Sequence, residues 1–397
     1  MHNIHYIDQA KLDGSIRVLL RVDFNITLSP HNEIGDDARI RAALPTIEYI
    51  LQHPQVTLII MSHLGRPKGK EDRYSMKPVR DRLASLLPPG YSVVLVEDIE
   101  SAKTALVHQD KTVYLLGNLR FWEGEKTGDP AFAQTLASLG DIYVNDAFGA
   151  SHRPDASIVG IPKLLPSYAG LLMKKEIEHI DNAVSHPAHP VVAIIGGIKV
   201  TTKLALLKKL TDIADTLIVG GGLATVFLKA AGYEVGKSVL VAEEVPLAQE
   251  FLVFAKKHNT HLLLPDDVVV GDPADEHTGG AVKLVAEVGA SDMILDIGPE
   301  TQAKMGTVLS DAKTIIWNGP VGYMENLQYR RGTDYLYYAI AQNRQALSIV
   351  GGGDTLSAIS KKEYLDHITH ISTGGGAMLE YIEKGTLPGI EALKDAA

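Results

Sequence analysis

Cysteine is absent from the 397 residues. Disulfides, thiol catalysis and thiolate metal sites are therefore excluded. Aromatics are scarce at 6 %, and no apolar run approaches the length of a membrane span. The first residues, Met1-His2-Asn3-Ile4-His5-Tyr6, have no apolar core of a secretion signal, and a cytoplasmic location with no membrane partner is expected. Positive charge is also short, because the net charge is −10. That balance argues against nucleic acid as a partner, since a binder of the phosphate backbone carries a basic face.

What is present is a soluble composition, 45 % hydrophobic and 22 % charged, in a chain long enough for two domains. Apolar, β-branched runs at 16–22, 56–61, 92–96, 112–116 and 142–144 alternate with helical periodicity at 39–51, 77–87 and 131–139. The second half repeats the scheme. Runs at 191–195, 216–219, 261–264, 314–317, 347–350 and 368–371 alternate with helices at 204–210, 224–231, 245–258 and 355–361. Continuous apolar strands between helices imply mainly parallel sheets covered on both faces. The expected fold is α/β, with two Rossmann-like three-layer αβα domains joined by a hinge helix. Residues 169–183 read as that connecting helix, bracketed by prolines at 162, 166, 187 and 190. The domains are then 1–168, with the tail 384–397 packing back on it, and 184–383.

The two halves end their strands differently. The first ends them in Arg21-Val22-Asp23-Phe24-Asn25, Ser62-His63-Leu64-Gly65-Arg66, Asn118-Leu119-Arg120 and Ser151-His152-Arg153. Arginines gathered from Arg39, Arg66, Arg120 and Arg153 make a cluster suited to a small, highly charged anion. The second half ends its strands in glycine: Gly196-Gly197, Gly220-Gly221-Gly222, Asn318-Gly319-Pro320, Gly351-Gly352-Gly353-Asp354-Thr355 and Gly374-Gly375-Gly376. Such turns let backbone approach phosphate and leave N–H groups of a helix start to hold it. Lys199 and Lys203, four apart, share a face if a helix begins there, and two cations in a first turn oppose the helix dipole. Asp354, where a helix starts, reads as an N-cap or, beside polyphosphate, as a magnesium ligand. Residues 231–238 fit a loose phosphate-loop pattern, but they follow a helix instead of preceding one and are set aside.

These motifs, in this order, resemble the phosphoglycerate kinase family over almost the whole chain. Arg39-Ile-Arg-Ala-Ala-Leu-Pro-Thr46, Val144-Asn-Asp-Ala-Phe-Gly149 and Asp296-Ile-Gly-Pro-Glu-Thr301 add to the likeness. The resemblance implies reversible phosphoryl transfer between 1,3-bisphosphoglycerate and ADP, giving 3-phosphoglycerate and ATP in glycolysis and gluconeogenesis, by a monomer using Mg²⁺. It implies that Asp23, Phe24, Asn25, Arg39, His63, Leu64, Gly65, Arg66, Arg120 and Arg153 hold the phosphoglycerate. Lys203, Gly220, Gly221, Asn318, Glu325, Gly352, Gly353, Asp354 and Thr355 hold the nucleotide, with Asp354 near the metal. Arg39, Lys199, Gly375 and Gly376 contact the phosphoryl group in flight. The chain departs from the family at Gly117, Pro154-Asp155, Met378, Ile26-Thr27 and Thr202, and Asp155 is expected to damp the charge of Arg153. The alternatives are a Rossmann dehydrogenase, whose Gly-x-Gly-x-x-Gly is missing after the early strands, and a nucleotide-binding homologue without catalysis.

Overall fold

The computed structural model describes residues 3–352, Thr355 and residues 362–394. The chain forms two compact units. One comprises the chain up to Ile177 together with the segment from Lys384 onward, and the other is Glu178–Glu383.

The first unit is built on β1 (Arg17–Arg21), β2 (Thr57–Met61), β3 (Ser92–Val96), β4 (Thr112–Leu116), β5 (Ile142–Asn145) and β6 (Ser167–Ala169). They form one sheet in the order β3-β4-β2-β1-β5-β6, and every pair is parallel. Val18, Leu20, Leu58 and Ile60 on one face meet Ile40, Ala43 and Ile47 of the helix Ala38–Leu51 and Val79 and Leu83 of Lys77–Leu86. Leu19 and Ile59, on the opposite face, are equally buried. Coverage on both sides is why these strands read as unbroken apolar runs. Asp129 starts the helix Pro130–Ala137 with its carboxylate on Ala131 N–H, a cap of about 1 kcal/mol, and proline fills the first helical position.

Register decides where the chemistry falls. Arg21 stands opposite both Met61 and Asn145, so the loops after β1, β2 and β5 leave the sheet side by side. The order reverses at β1, with β2 on one side and β5 on the other, and ligands of such sheets bind at that switch point.

The helix read over 169–183 runs from Leu171 to Val184. Ala169 belongs to β6 instead, paired with Asn145. The first turn of this helix is tied by Thr46 Oγ1, which accepts from Leu171 N–H, and by Asp146, which accepts from Met173 N–H. The last helix, Pro388–Lys394, returns to the first unit, where Gly389 N–H donates to the Ser151 carbonyl.

The second unit holds β7 (Val191–Ile195), β8 (Thr216–Val219), β9 (His261–Leu263), β13 (Thr314–Asn318), β14 (Leu347–Gly351) and β15 (His370–Ser372) in the order β15-β14-β13-β7-β8-β9, all parallel. Trp317, Ile315 and Ile194 of this sheet pack on Met305 and Leu309 of the helix Pro299–Asp311 and on Leu336 and Ile340 of Arg331–Gln342. A three-stranded antiparallel sheet, unread in the sequence, adds β10 (Asp267–Val270), β11 (Ala281–Leu284) and β12 (Ile294–Ile297) in the order β11-β10-β12. In the main sheet Asn318 stands opposite both Ile195 and Gly351, which puts Gly196, Gly319 and Gly352 at one edge.

Candidate active site

The anion cluster of the first unit is organised around Arg21, the last residue of β1, which is fully buried. Its Nε donates to Ser157 Oγ at 2.8 Å, its Nη1 to the Val22 carbonyl, and its Nη2 to His63 Nδ1 at 3.2 Å. A guanidinium has only donors, so Nδ1 must present a lone pair and the neutral ring carries its proton on Nε2. Burial, reinforced by Arg21, Arg153 and Arg39 and opposed by Asp23, drives His63 down to about 3. His63 is therefore a neutral N–H donor at neutral pH. These shifts also place Asp23, Arg39 and Arg153 within electrostatic reach of one imidazole.

Asp23 accepts from Arg39 Nη1 at 2.6 Å. Burial pushes its carboxyl up, but Arg39, His63, Arg21 and the Asn25 N–H outweigh that, leaving it below the usual range and ionised. Asn25 Oδ1 accepts from Gly65 N–H at 2.8 Å, and Gly65 O accepts from Arg120 Nη1 at 2.5 Å. Gly65 has φ +63°, and a Cβ there would stand 2.2 Å from the Tyr74 ring, so only glycine fits. Asn118 locks the same loop from β4, accepting from Leu64 and Arg120 N–H and donating to the Leu64 and Tyr74 carbonyls. Among the described residues Arg120 Nε, which is buried, has no partner. An orphaned buried donor costs about 1–3 kcal/mol.

Phe24 and Leu64 send their side chains into the core, and their N–H groups are already used by Ser62 Oγ and Asn118. Arg66 is exposed at the loop edge. Arg153, half-buried, donates from Nε to His152 Nε2 at 3.3 Å. Asp155 is 4 % exposed, with one oxygen that has no partner among the described residues. Burial raises its carboxyl, against Arg21, Arg153, His152 and Lys126.

Beneath this surface lies an assembly that motif reading missed. Glu125, fully buried, accepts from Ser157 N–H at 3.0 Å and from Ser157 Oγ at 2.5 Å, and sits 3.8 Å from Arg21 Nη2. The signal was in the sequence, because Arg21 closes an apolar strand, where an unpaired charge is not tolerated.

In the second unit a cleft of about 820 Å³ is lined by Lys199, Lys203, Gly221, Asn318 and Glu325, together with Leu228, Val268, Leu295, Val321 and Met324. The lining therefore combines apolar side chains with two lysines, Glu325 and glycine backbone. Gly196 cannot carry a side chain, since its Cβ would stand 2.1 Å from the Pro320 carbonyl oxygen. Gly220 abuts Val321 in the same way, and Gly221 (φ +60°) donates to the Val321 carbonyl at 3.1 Å. Burial lowers the Lys203 ammonium pKa. Asp296 also lines the cleft. Burial pushes its carboxyl up to about 7, against bonds from Gly332 and Ile297 N–H.

Lys199 and Lys203 do not share a helical face. The helix begins at Leu204, with Lys203 at its cap, and Lys199 lies exposed in the preceding turn. The reason is Glu244, also unread in the sequence, whose carboxylate takes the N–H groups of Val200 and Thr201. Gly352 (φ +111°) and Thr355 pack around Asn318: Asn318 Nδ2 donates to Gly351 O, and Gly319 N–H donates to Thr355 Oγ1. Gly353 and Asp354 lie outside the described residues. Gly375 (φ +47°) and Gly376 follow β15, where Gly376 opens the helix Gly376–Lys384 into open space; neither lines the cleft. The phosphate-loop look-alike at 231–238 forms turns after the helix Gly221–Ala230, with Lys237 N–H on the Asp292 carbonyl.

Known proteins resemble this chain along nearly all its length. The phosphoglycerate kinase family profile matches residues 7–385. A phosphoglycerate kinase of Moorella thermoacetica is 46 % identical over 385 residues, and one of Chloroflexus aurantiacus is 44 % identical over 386, each spanning 96 % of both chains. The phosphoglycerate kinase structure from Coxiella burnetii superposes with a TM-score of 0.87 at 37 % identity, covering 99 % of this chain and 100 % of that one. The one from Pyrococcus horikoshii gives 0.81 at 28 %, covering 98 % of each. With two parallel-sheet α/β units, an arginine-rich strand edge in one and a lysine- and glycine-lined cleft in the other, this chain belongs to the phosphoglycerate kinase family.

Proposed function

We propose that the chain is an active phosphoglycerate kinase, moving a phosphoryl group reversibly between 1,3-bisphosphoglycerate and ADP. The observation that carries this reading is the division of labour, with guanidinium groups around His63 in one unit and the Lys199–Lys203 turn beside apolar cleft residues in the other. A homologue that only bound nucleotide would have no use for the first of these.

In the ATP-consuming direction, a carboxylate oxygen of 3-phosphoglycerate attacks the γ-phosphorus. The new O–P bond forms as the bond to the β,γ-bridging oxygen breaks, and ADP leaves. The attacking carboxylate is already ionised at neutral pH, so no base takes a proton. What the protein supplies is alignment and charge stabilisation. Arg39, oriented by Asp23, and Arg66, Arg120 and Arg153 hold the phosphoglycerate, with the His63 Nε2–H as a neutral donor. An anion there also relieves the orphaned Arg120 Nε. Lys203, Gly220, Gly221, Asn318, Glu325, Gly352 and Thr355, with Gly353 and Asp354, hold the nucleotide. Lys199, Arg39 and the N–H groups of Gly375 and Gly376 meet the charge spread over the moving group. Magnesium enters with the nucleotide as part of the substrate, held mainly by its phosphates and by Asp354. Among the described residues no cluster of three or more acidic or histidine side chains is arranged to bind a metal by itself.

The reading carries with it a monomer working in the cytoplasm on a carboxyl acceptor, with residues 1–168 and 384–397 serving phosphoglycerate and 184–383 serving nucleotide. The decisive experiment couples ATP formation from 1,3-bisphosphoglycerate and ADP to a colour reaction. Nucleotide binding without ATP formation would establish the non-catalytic alternative.

A further inference from the structure

Glu244 closes the short turn Ala242–Glu244 just before the helix Val245–Lys257, and it is 4 % exposed. Its carboxylate reaches the turn that leads from β7 to the helix Leu204–Thr211. Oε2 accepts from Val200 N–H at 2.5 Å, and Oε1 accepts from Thr201 N–H at 3.3 Å and Thr201 Oγ1 at 2.5 Å. Thr202 Oγ1 then donates to the Lys199 carbonyl at 3.0 Å, and Lys203 N–H to the Val200 carbonyl at 2.9 Å. Burial pushes the Glu244 carboxyl up, but these bonds and the charge of Lys199 outweigh it and leave it below the usual range. It stays an anion.

The arrangement has a chemical consequence. Val200 and Thr201 lie just ahead of the helix Leu204–Thr211, and their N–H groups already hold an internal anion, so these two donors are not open to a phosphate. The carboxylate also fixes the backbone on which Lys199 stands, and Lys199 has no other described bond to steady its exposed side chain.

We propose that Glu244 is a positioning residue for phosphoryl transfer, acting through Lys199 by pinning the Val200–Thr201 backbone. The proposal rests on the functional reading above, in which Lys199 meets the moving phosphoryl group. Displacing a reacting group by about 1 Å costs about 10²-fold in rate. Glu244→Ala is expected to lower kcat by about that factor while the KM for phosphoglycerate stays unchanged. Glu244→Gln, which keeps the shape and one acceptor, recovers most of the turnover. In a Lys199→Ala background the Glu244→Ala change has no further effect, because the group it positions is gone. A loss that multiplies in full with that of Lys199→Ala, or a Glu244→Ala enzyme as fast as wild type, overturns the proposal. Amide exchange at Val200 and Thr201 reads the contact without turnover. Faster exchange confined to that turn in Glu244→Ala supports the role, and unchanged protection overturns it. A wild-type protein that makes no ATP but shows the local exchange change refutes the functional reading and leaves the pinning of the turn intact.

Discussion

Arg21 Nη2 donates to His63 Nδ1 at 3.2 Å inside a fully buried network, and this one contact decides which ring nitrogen carries the proton. Because a guanidinium cannot accept, the imidazole is held as the Nε2–H tautomer, with its donor free for a ligand. A ring free to exchange tautomers would lose that donor part of the time. Nitrogen-15 shifts of His63 are expected to show the Nε2–H form, with no titration between about pH 5 and 8.

Arg21 also answers two buried carboxylates, Glu125 and Asp155. Replacing it by methionine leaves Glu125 without its ion-pair partner and removes one of the cations that act on Asp155. Breaking a buried pair from one side costs about 3–5 kcal/mol, and urea unfolding of Arg21→Met should show a loss of that size. The double variant Arg21→Met/Glu125→Gln should recover part of it. Equal stability of the single variant and wild type would contradict the network.

The depressed His63 has a signature in stability. Its folded value of about 3 lies below the ordinary 6.5, so between those values the unfolded chain binds the proton and the native one does not. The contribution of His63 therefore rises with pH across that window, against Asp296 and Asp146, whose carboxyls are pushed up to about 7 and about 6 and whose contributions fall as the pH rises. Asp23, whose native carboxyl is depressed from 3.8, acts only below that value, and comparison with a His63 variant isolates the imidazole from Asp296 and Asp146. On acidification from about pH 6.5 to 4 the urea midpoint of wild type should drop relative to that of His63→Gln. Parallel slopes would contradict the buried neutral ring.

Lys199 is exposed at the cleft edge, whereas Lys203 is partly buried with its ammonium pKa lowered. Lys199→Ala is expected to depress kcat by about 10³–10⁵, the range known for a cation aimed at a moving phosphoryl group, with nucleotide affinity little changed. Lys203→Ala should instead raise the nucleotide KM. Isothermal titration with ADP beside steady-state rates separates the two. Weak binding with normal turnover in Lys199→Ala would reverse the assignment.

Transfer needs both ligands in one place, and the proposed function assigns phosphoglycerate and nucleotide to different units. X-ray scattering should therefore give a smaller radius of gyration with phosphoglycerate and nucleotide together than with either alone. Identical profiles would count against closure.

Strands were the most legible part of the chain. The bounds read for 112–116, 191–195 and 216–219 are the bounds they have, because strands buried on both faces leave continuous apolar runs; those of 92–96 match as well, although Ser92 and Val94 of this edge strand are exposed. The antiparallel sheet was not legible, since Ala281–Leu284 is largely exposed and carries no apolar run. Its pairing with β10 is long-range. Whether Lys199 and Lys203 share a helical face could not be read from their spacing, which does not reveal that Glu244, more than forty residues on, occupies the N–H groups of that turn.

The sequence by itself determined the α/β class, the parallel strands and the residue types waiting at their ends, because periodicity and glycine placement are local properties. The tertiary structure alone decided the proton position on His63, the burial of Arg21 over Glu125, and the clamp of Glu244 on the lysine turn. Each of those is a contact between segments distant in sequence, set by register and packing, and no local pattern encodes it.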